Sequence, residues 1–527
     1  MGKSKIKTFY NTIKYLKPVQ IYYRLYYFIR NRFFKKSYKK QLSDGYFNLD
    51  WNDFIVYSNT YLGNNSFTFL NLSKDFENNI DWNFEEYGKL WSFNLNYFDF
   101  LNQTNIYVED ALKLIKDYIS NDEVLKDGKT SYPISLRGIN WVKFLSKHTV
   151  LDKDIDQNLY NHYQILLFNP EYHLLGNHLL ENGFAFLFGG YYFKDEILYK
   201  QAVKILKIEL KEQVLKDGGH FELSPMYHQT MLFRVLDCIQ LIKLNVWKND
   251  DLLLFLESTA LKMQSWLKEV TFDNGDIPMV NDSSYSIAPT TEDLLNYGKQ
   301  LGLPINQVKL SDSGYRMIKN KKYELFIDVG NVGAKYQPAH VHSDTFNFVF
   351  YYRNTPIVVD RGVSTYEKNE IRNKERSTDS HNTVKIGEIE QTEVWGGFRV
   401  ANRAKVIELI EEGNSIQARH DGYKKINLFH TRKFELEEDS IKIIDKISKN
   451  NNYSQIAHFH FHPQINKILI KGNHVELLNE NIKFVFSGGL IKIEKENYDY
   501  ACGFNQVLKA EKIKVYFKTN LISNIKI

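Results

Sequence analysis

The stretch LGLPINQVKLSDSGY, residues 301–315, is where the chain changes its period. On its C-terminal side YELFIDVG, FNFVFYY, PIVVD, SIKIIDKIS, QIAHFHFHP, IKFVFSG and KIKVYFKT have strand length and strand composition, and Gly, Asn and Asp turns separate them. Many strands without intervening helices predict antiparallel sheets packed as a sandwich. FNFVFYYRNTPIVVDRG reads as a hairpin bent near Arg353, Asn354, Thr355 and Pro356. On the N-terminal side the apolar spacing is three and four. In QAVKILKIELKEQVL, Val203, Leu206, Leu210 and Val214 share a stripe, and helical segments stop at KDGKTSYP, FNPEYH, KDGGHFELSP and FDNGDIP. Successive helical hairpins with polar motifs on their turns suggest an α/α toroid, incomplete or whole, and a plain helical array has the same local signals. The chain thus reads as a multidomain α+β protein: a basic, aromatic helical extension (1–50), an α/α toroid (51–305) and an antiparallel β-sandwich (306–527).

A length of 527 residues exceeds one ordinary core, and 43% hydrophobic content supplies several. Aromatic residues make up 15%, among them 35 Tyr, a composition that suits stacking on sugar faces as well as packing. A net charge of +5, with Lys and Glu interspersed, calls for no nucleic-acid partner. Cys238 and Cys502 are far apart and form no CxxC pattern, so disulfides carry no part of the fold. The first forty residues mix Lys and Arg with Tyr, Phe, Ile and Leu and lack an apolar core followed by a cleavage site. No later run is apolar for long enough to span a bilayer. The expectation is a cytoplasmic protein whose extension either lies on the anionic inner face of the membrane or packs on the main domain.

Three motifs carry candidate chemistry. GNHLLENG (176–183) sets Asn177 and His178 at a helix start, where free N–H groups attract anions, with Glu181 one turn on to orient them; the alternative is a helix cap at Asn177 with His178 exposed. KDGGHFELSPMYHQTML (216–232) puts Tyr227 and His228 in the first turn after a Gly-Gly turn and Pro225, with Glu222 just before. AHVHSDTFNFVFYYRNTPIVVDRG (339–362) and RSTDSHNTV (376–384) supply His340, His342, Asp360 and His381. Two apart on a strand, His340 and His342 would share a face roughly 7 Å apart. Two histidines and a carboxylate are a plausible zinc set, and satisfied polar residues at a domain interface are the alternative. SLRGINW (Arg137, Trp141) and WSFNLNYFD (Asn94) suit sugar contacts or packing, and HFHFHP (458–463) reads as the face of an edge strand.

Taken in order, GNHLLENG, DGGHFELSPMYH, HVHSDTFNF, VVDRGVSTY, RSTDSHNTV and VWGGFRV strongly resemble the heparinase II/III family of polysaccharide lyases, over roughly residues 91–462. The resemblance implies an α/α toroid followed by a β-sandwich, with a cleft between them that performs β-elimination at a uronic acid. By that resemblance Asn177 neutralises the uronate carboxylate, helped by His178, and Tyr227 and His340 serve as base and acid. His342, Asp360 and His381 hold one structural divalent metal, zinc by ligand softness, with calcium or manganese as alternatives. Arg372 and Arg376 are candidates for carboxylate or sulfate contacts. Asn94, Arg137, Trp141, Glu181, Glu222, His228 and Trp395 complete the candidate substrate contacts. The expected partner is an acidic polysaccharide, either heparan sulfate or heparosan-like or a bacterial capsule or exopolysaccharide. Competing readings are a uronate C5-epimerase, a hydrolase with Glu181 and Glu222 as paired carboxylates, and a non-catalytic glycan-binding protein.

Overall fold

The computed structural model describes residues 3–34, 38–43, 45, 47–248 and 251–527, the side chains of residues 3–5 apart. Two helices, α1 (Lys3–Ile13) and α2 (Pro18–Phe33), form an N-terminal arm. A small antiparallel sheet follows, β1 (Tyr61–Gly63), β2 (Ser66–Phe69) and β3 (Leu72–Asp75). It replaces the helix expected of the toroid segment there, because Asn64-Asn65 and Leu70-Asn71 all adopt positive φ and fold the chain back twice.

The helical body comprises α3 (Lys89–Tyr97), α4 (Val108–Ser120), α5 (Ser131–Lys147), α6 (Lys153–Phe168), α7 (Gly176–Phe193), α8 (Glu196–Gln213), α9 (Pro225–Leu244), α10 (Leu252–Val270) and α11 (Thr291–Gln300). Helices α5, α7 and α9 pack side by side as an inner layer, with α6, α8 and α10 outside. Burial follows that order. α7 is buried along nearly its whole length, whereas α8 buries one stripe, Leu198, Ala202, Ile205, Leu206 and Leu210. That stripe is rotated from the predicted one, leaving Val203 and Val214 half-exposed. α7 and α8 approach closely because a Cβ at Gly183 would stand 2.8 Å from Ile205 Cγ2.

The second half opens with a four-stranded antiparallel sheet, β4 (Tyr315–Lys319), β5 (Tyr323–Asp328), β6 (Phe348–Tyr352) and β7 (Thr355–Val358). The β6–β7 hairpin turns at Arg353 and Asn354, both at positive φ, as two-residue hairpins require. After α12 (Glu370–Glu375), β8 (Val384–Ile386) and a ribbon of β9 (Val394–Trp395) and β10 (Arg399–Val400), a large sheet takes the remaining strands. These are β11 (Val406–Glu412), β12 (Ser415–His420), β13 (His430–Leu436), β14 (Ser440–Ile447), β15 (Gln455–His460), β16 (Ile468–Lys471), β17 (His474–Leu477), β18 (Ile482–Gly503) and β19 (Gln506–Lys526). Its order is β11-β12-β13-β14-β19-β18-β17-β16. Leu325, Ile327, Phe348 and Phe350 of the smaller sheet share one core with Phe434, Phe459, Phe484 and Val515 of the larger.

Two strand expectations are corrected. β15 is no edge: it sits between β8 and β19 and buries His458 and His460. His340 and His342 lie in the loop before β6, so strand alternation does not set their relation. The two halves are fastened by the linker itself. Asp217 accepts from Ser311 N (2.9 Å), Ser313 N (3.0 Å) and Ser313 Oγ (2.7 Å), and Tyr351 stacks on Phe272 at 3.9 Å.

Candidate active site

The polar motifs of both halves meet at this junction. α7 is entered through Leu175 and Gly176, at φ of 62° and 60°, and a Cβ on Gly176 would come within 2.9 Å of Glu222 Oε1. This sharp entry puts Asn177 in the first helical turn. Its backbone N–H and side-chain amide both donate to Glu222 (3.3 and 3.2 Å), and the amide also reaches His340 Nε2 (3.4 Å). Burial raises the Glu222 carboxyl above its usual range, toward its neutral form. His178 Nδ1 lies 3.1 Å from Glu171 Oε1; burial works against its protonation, but that carboxylate lifts its pKa above the ordinary value.

At α9, Ser224 caps the helix by accepting from Tyr227 N (3.2 Å), and donates to the Asp282 carbonyl (2.8 Å). Pro225 occupies the first helical position, where its missing N–H costs nothing. The Tyr227 ring lies over that of His340, centroids 3.9 Å apart, and its hydroxyl is 3.3 Å from that of Tyr366. Burial pushes the Tyr227 phenol up, while the Tyr366 contact acts the other way.

Asp282, absent from the sequence-derived set, organises the sheet side. Its carboxylate bonds His340 Nδ1 (3.0 Å), His342 Nε2 (2.9 Å) and both terminal nitrogens of Arg372 (2.5 and 2.6 Å). Burial alone would raise it, but Arg372 and the two imidazoles hold it well below the carboxylate range. An ionised carboxylate accepts hydrogen bonds, so His340 carries its proton on Nδ1 and offers the lone pair of Nε2 on the side of Asn177. Arg376 fixes the same loop by donating to the Val341 carbonyl from Nε (3.1 Å) and a terminal nitrogen (2.9 Å).

The three predicted metal ligands are all buried. Among the described residues no three metal-binding side chains form a ready shell. The donor chemistry nevertheless fits a cation. Asp282 takes His342 Nε2–H, and Asp360 takes His381 Nδ1–H (2.8 Å), which leaves His342 Nδ1 and His381 Nε2 buried without hydrogen-bond partners, on rings 5.3 Å apart. Carboxylates behind imidazoles in this way are how proteins orient metal-binding histidines. Burial lowers the His342 pKa to about 3, which keeps it neutral. Asp344 Oδ2 is also unpartnered, whereas Asp360 additionally accepts from Asn347 (2.6 Å) and Gly362 N (3.1 Å).

Several predicted contacts are committed elsewhere. Arg137 is buried and donates to the carbonyls of Asn96 and Gly128, and Trp141 packs in the helical core against Phe98. His228 is fully buried against Trp266, accepting from His220 N and bonding the Met263 carbonyl. Glu181 faces Arg234 at 3.4 Å instead of orienting Asn177, so it and Glu222 are not a free carboxylate pair. Arg372 and Arg376 are fully buried and hold the His340 loop, which places them behind the site rather than on its surface. Trp395 donates to Thr12 of the arm (3.1 Å), and Asn94, half-buried, bonds back to the Leu90 carbonyl. The missed residues had weak signals: Asp282 in the polar run NDSS after FDNGDIPMV, and Tyr366 at the end of VVDRGVSTY.

Residues 85–300 match the family model for the heparinase II/III N-terminus, and residues 304–526 that for the heparinase II/III-like C-terminal part. A heparin-sulfate lyase from Bacteroides stercoris is 26% identical over 255 residues, 42% of this chain and 37% of the relative. The match thus spans little more than a third of that relative's length. Among solved structures, a heparinase III superposes with a TM-score of 0.70 at 16% identity, covering 99% of this chain and 93% of its own. A mutant of the heparan sulfate lyase HepC from Pedobacter heparinus gives 0.59 at 16%, covering 88% and 81%. At these identities the likeness is one of fold.

Proposed function

We propose that this chain, which belongs to the heparinase II/III family, is a polysaccharide lyase that cleaves a uronic-acid-containing acidic glycan by β-elimination. The observation that carries the reading is the convergence of Asn177 and Tyr227 from the helical half with His340 from the sheet half in one bonded and stacked cluster. The C5 proton of a uronate is weakly acidic, and removing it drives charge onto the carboxylate, so that group must be neutralised first. The Asn177 amide, at the positive end of α7, is placed for this, and His178 beside it adds a proton-bearing ring. A Glu222 carboxyl biased toward its neutral form limits repulsion against the incoming uronate.

His340 Nε2 takes the C5 proton when it lies on that face; on the other face Tyr227 takes it as the phenolate, having first released its hydroxyl proton to solvent, and then returns that proton to departing O4. The C5–H electrons form the C4–C5 double bond, the C4–O4 bond breaks, and the Tyr227 hydroxyl protonates departing O4 when His340 is the base. Tyr366 supports the phenol by a hydroxyl contact, and Asp282 orients the His340 ring through Nδ1. His342 and His381, with Asp360 or Asp344, would hold a divalent cation of zinc, calcium or manganese type, whose contribution is to tie the loop of His342 to the sheet. Heparan-type and bacterial uronate polymers are the substrate class, and the cytoplasmic side of polysaccharide assembly is the setting.

Turnover on a panel of heparosan, heparan sulfate and bacterial uronate polymers should raise ultraviolet absorbance from the unsaturated product, with fragments of matching mass. Binding or epimerisation without absorbance on any of them would overturn the lyase reading.

A further inference from the structure

The arm has its amphipathicity turned inside out. In α2, Gln20, Tyr23, Tyr27 and Arg30 face the protein: the amide of Gln20 donates to the Leu174 carbonyl (2.9 Å), Tyr27 OH to that of Pro170 (2.6 Å) and Arg30 to that of Phe168 (2.6 Å), while Tyr23 stacks on Tyr172 at 4.7 Å. The opposite face presents Ile21, Tyr22, Leu25, Tyr26, Phe28 and Ile29, with Leu25 58% and Phe28 69% exposed. α1 repeats the pattern. Thr8 donates to Glu393 and Thr12 accepts from Trp395 on the inside, while Ile6, Phe9, Tyr10 and Ile13 are exposed. A helix packed on a soluble body ordinarily does the reverse.

Charge identifies the occupant. The first 43 residues contain twelve Lys or Arg and no Asp or Glu, whereas the remainder holds 56 basic against 63 acidic residues. The positive charge of the chain is therefore concentrated in the segment that carries this outward aromatic face. Aliphatic and aromatic side chains, Tyr prominent among them, surrounded by Lys and Arg match the boundary between acyl chains and anionic headgroups. Among the described residues no helix is long and apolar enough to cross a membrane.

We infer that α1 and α2 dock this protein onto an anionic lipid bilayer, lying in its surface. The arm grips residues 168–174, which lead into α7, and Glu393 and Trp395, beside the Gly397 carbonyl that accepts from Arg372 and Arg376. Docking therefore sets the cleft next to the membrane, where a lipid-linked or nascent polymer would be presented. The inference stands apart from the lyase reading, since it concerns a surface outside the cleft.

The test is co-sedimentation of the full chain with vesicles of phosphatidylglycerol and phosphatidylcholine against phosphatidylcholine alone. Binding should require the anionic lipid, fall at high ionic strength, and weaken about tenfold or more in Leu25→Glu/Phe28→Glu, with thermal melting unchanged. Equal binding to neutral vesicles, no binding to either, or concentration-dependent self-association abolished by the same substitutions in place of lipid binding would each overturn it. A second variant, Lys7→Glu/Arg32→Glu, must also weaken binding while leaving the apolar face intact; an unchanged affinity would likewise overturn it.

Discussion

Asp237 and Asp282 are both carboxylates buried from solvent and paired with cations, yet they differ in what their partners leave over. Asp237 sits inside the helical half, held by Lys143 (2.5 Å) and Tyr297 OH (3.0 Å) with Arg234 at 3.6 Å, and Lys143 in turn bonds Tyr57 OH (3.0 Å). Asp282 bridges the halves, and one of its partners, His340, keeps a ring nitrogen directed at Asn177 beside the Tyr227 phenol. Burial and ion pairing alone thus do not mark a catalytic group. The mark is an acceptor left available at a place where elements from two domains meet.

The largest effect expected tests the acceptor side. Tyr227→Phe should lower kcat by about a thousandfold, with melting unchanged, because it removes the transferable proton and little packing. Retained turnover would dissolve the distinction just drawn. Next, Asp237→Ala should cost about 3–5 kcal/mol of stability in denaturant titration by stranding Lys143, while the folded fraction keeps its kcat. Asp282→Asn should instead lower kcat by about a hundredfold in the folded enzyme with KM little changed, alongside some destabilisation from the unpaired Arg372. Equal kcat losses at Asp237 and Asp282 would erase the comparison.

The smallest effect concerns Glu209, a third buried carboxyl, held by the Gln213 amide (2.8 Å), which burial pushes up to about 7. The folded state binds this proton more tightly than the unfolded chain, so its contribution is fully present below the ordinary carboxylate pKa and is lost as pH rises through about 7. Glu209→Gln should therefore gain about 1–3 kcal/mol at mildly alkaline pH and little at about pH 5, measured by thermal unfolding at both.

How much of this was legible follows from the range of each signal. Periodicity and turn residues are local, so the change of regime across residues 301–315, the helices before it and the β6–β7 hairpin could be read directly from the chain. Asn177, Tyr227 and His340 could be singled out because each sits in a distinctive motif beside a turn or helix start. Strand order could not be read, since it depends on which distant segments pair: β15 looks like an edge strand by its alternating histidines and is an interior one. Arg137, Trp141 and His228 have the side chains of a sugar site, and packing, which no local pattern records, sealed them into the core.

The sequence by itself therefore determined the two-part architecture, the polar motifs at the turns and the basic, aromatic character of the arm. Tertiary structure alone decided that Asp282 joins His340, His342 and Arg372, that the loop of His340 reaches Asn177 and Tyr227, and that the apolar side of α2 faces outward. The reason is that composition and spacing fix what a segment can form on its own. The partners of a buried charge and the outward face of a helix are set by elements far away along the chain, 58 to 90 residues for Asp282 and 138 to 154 for α2.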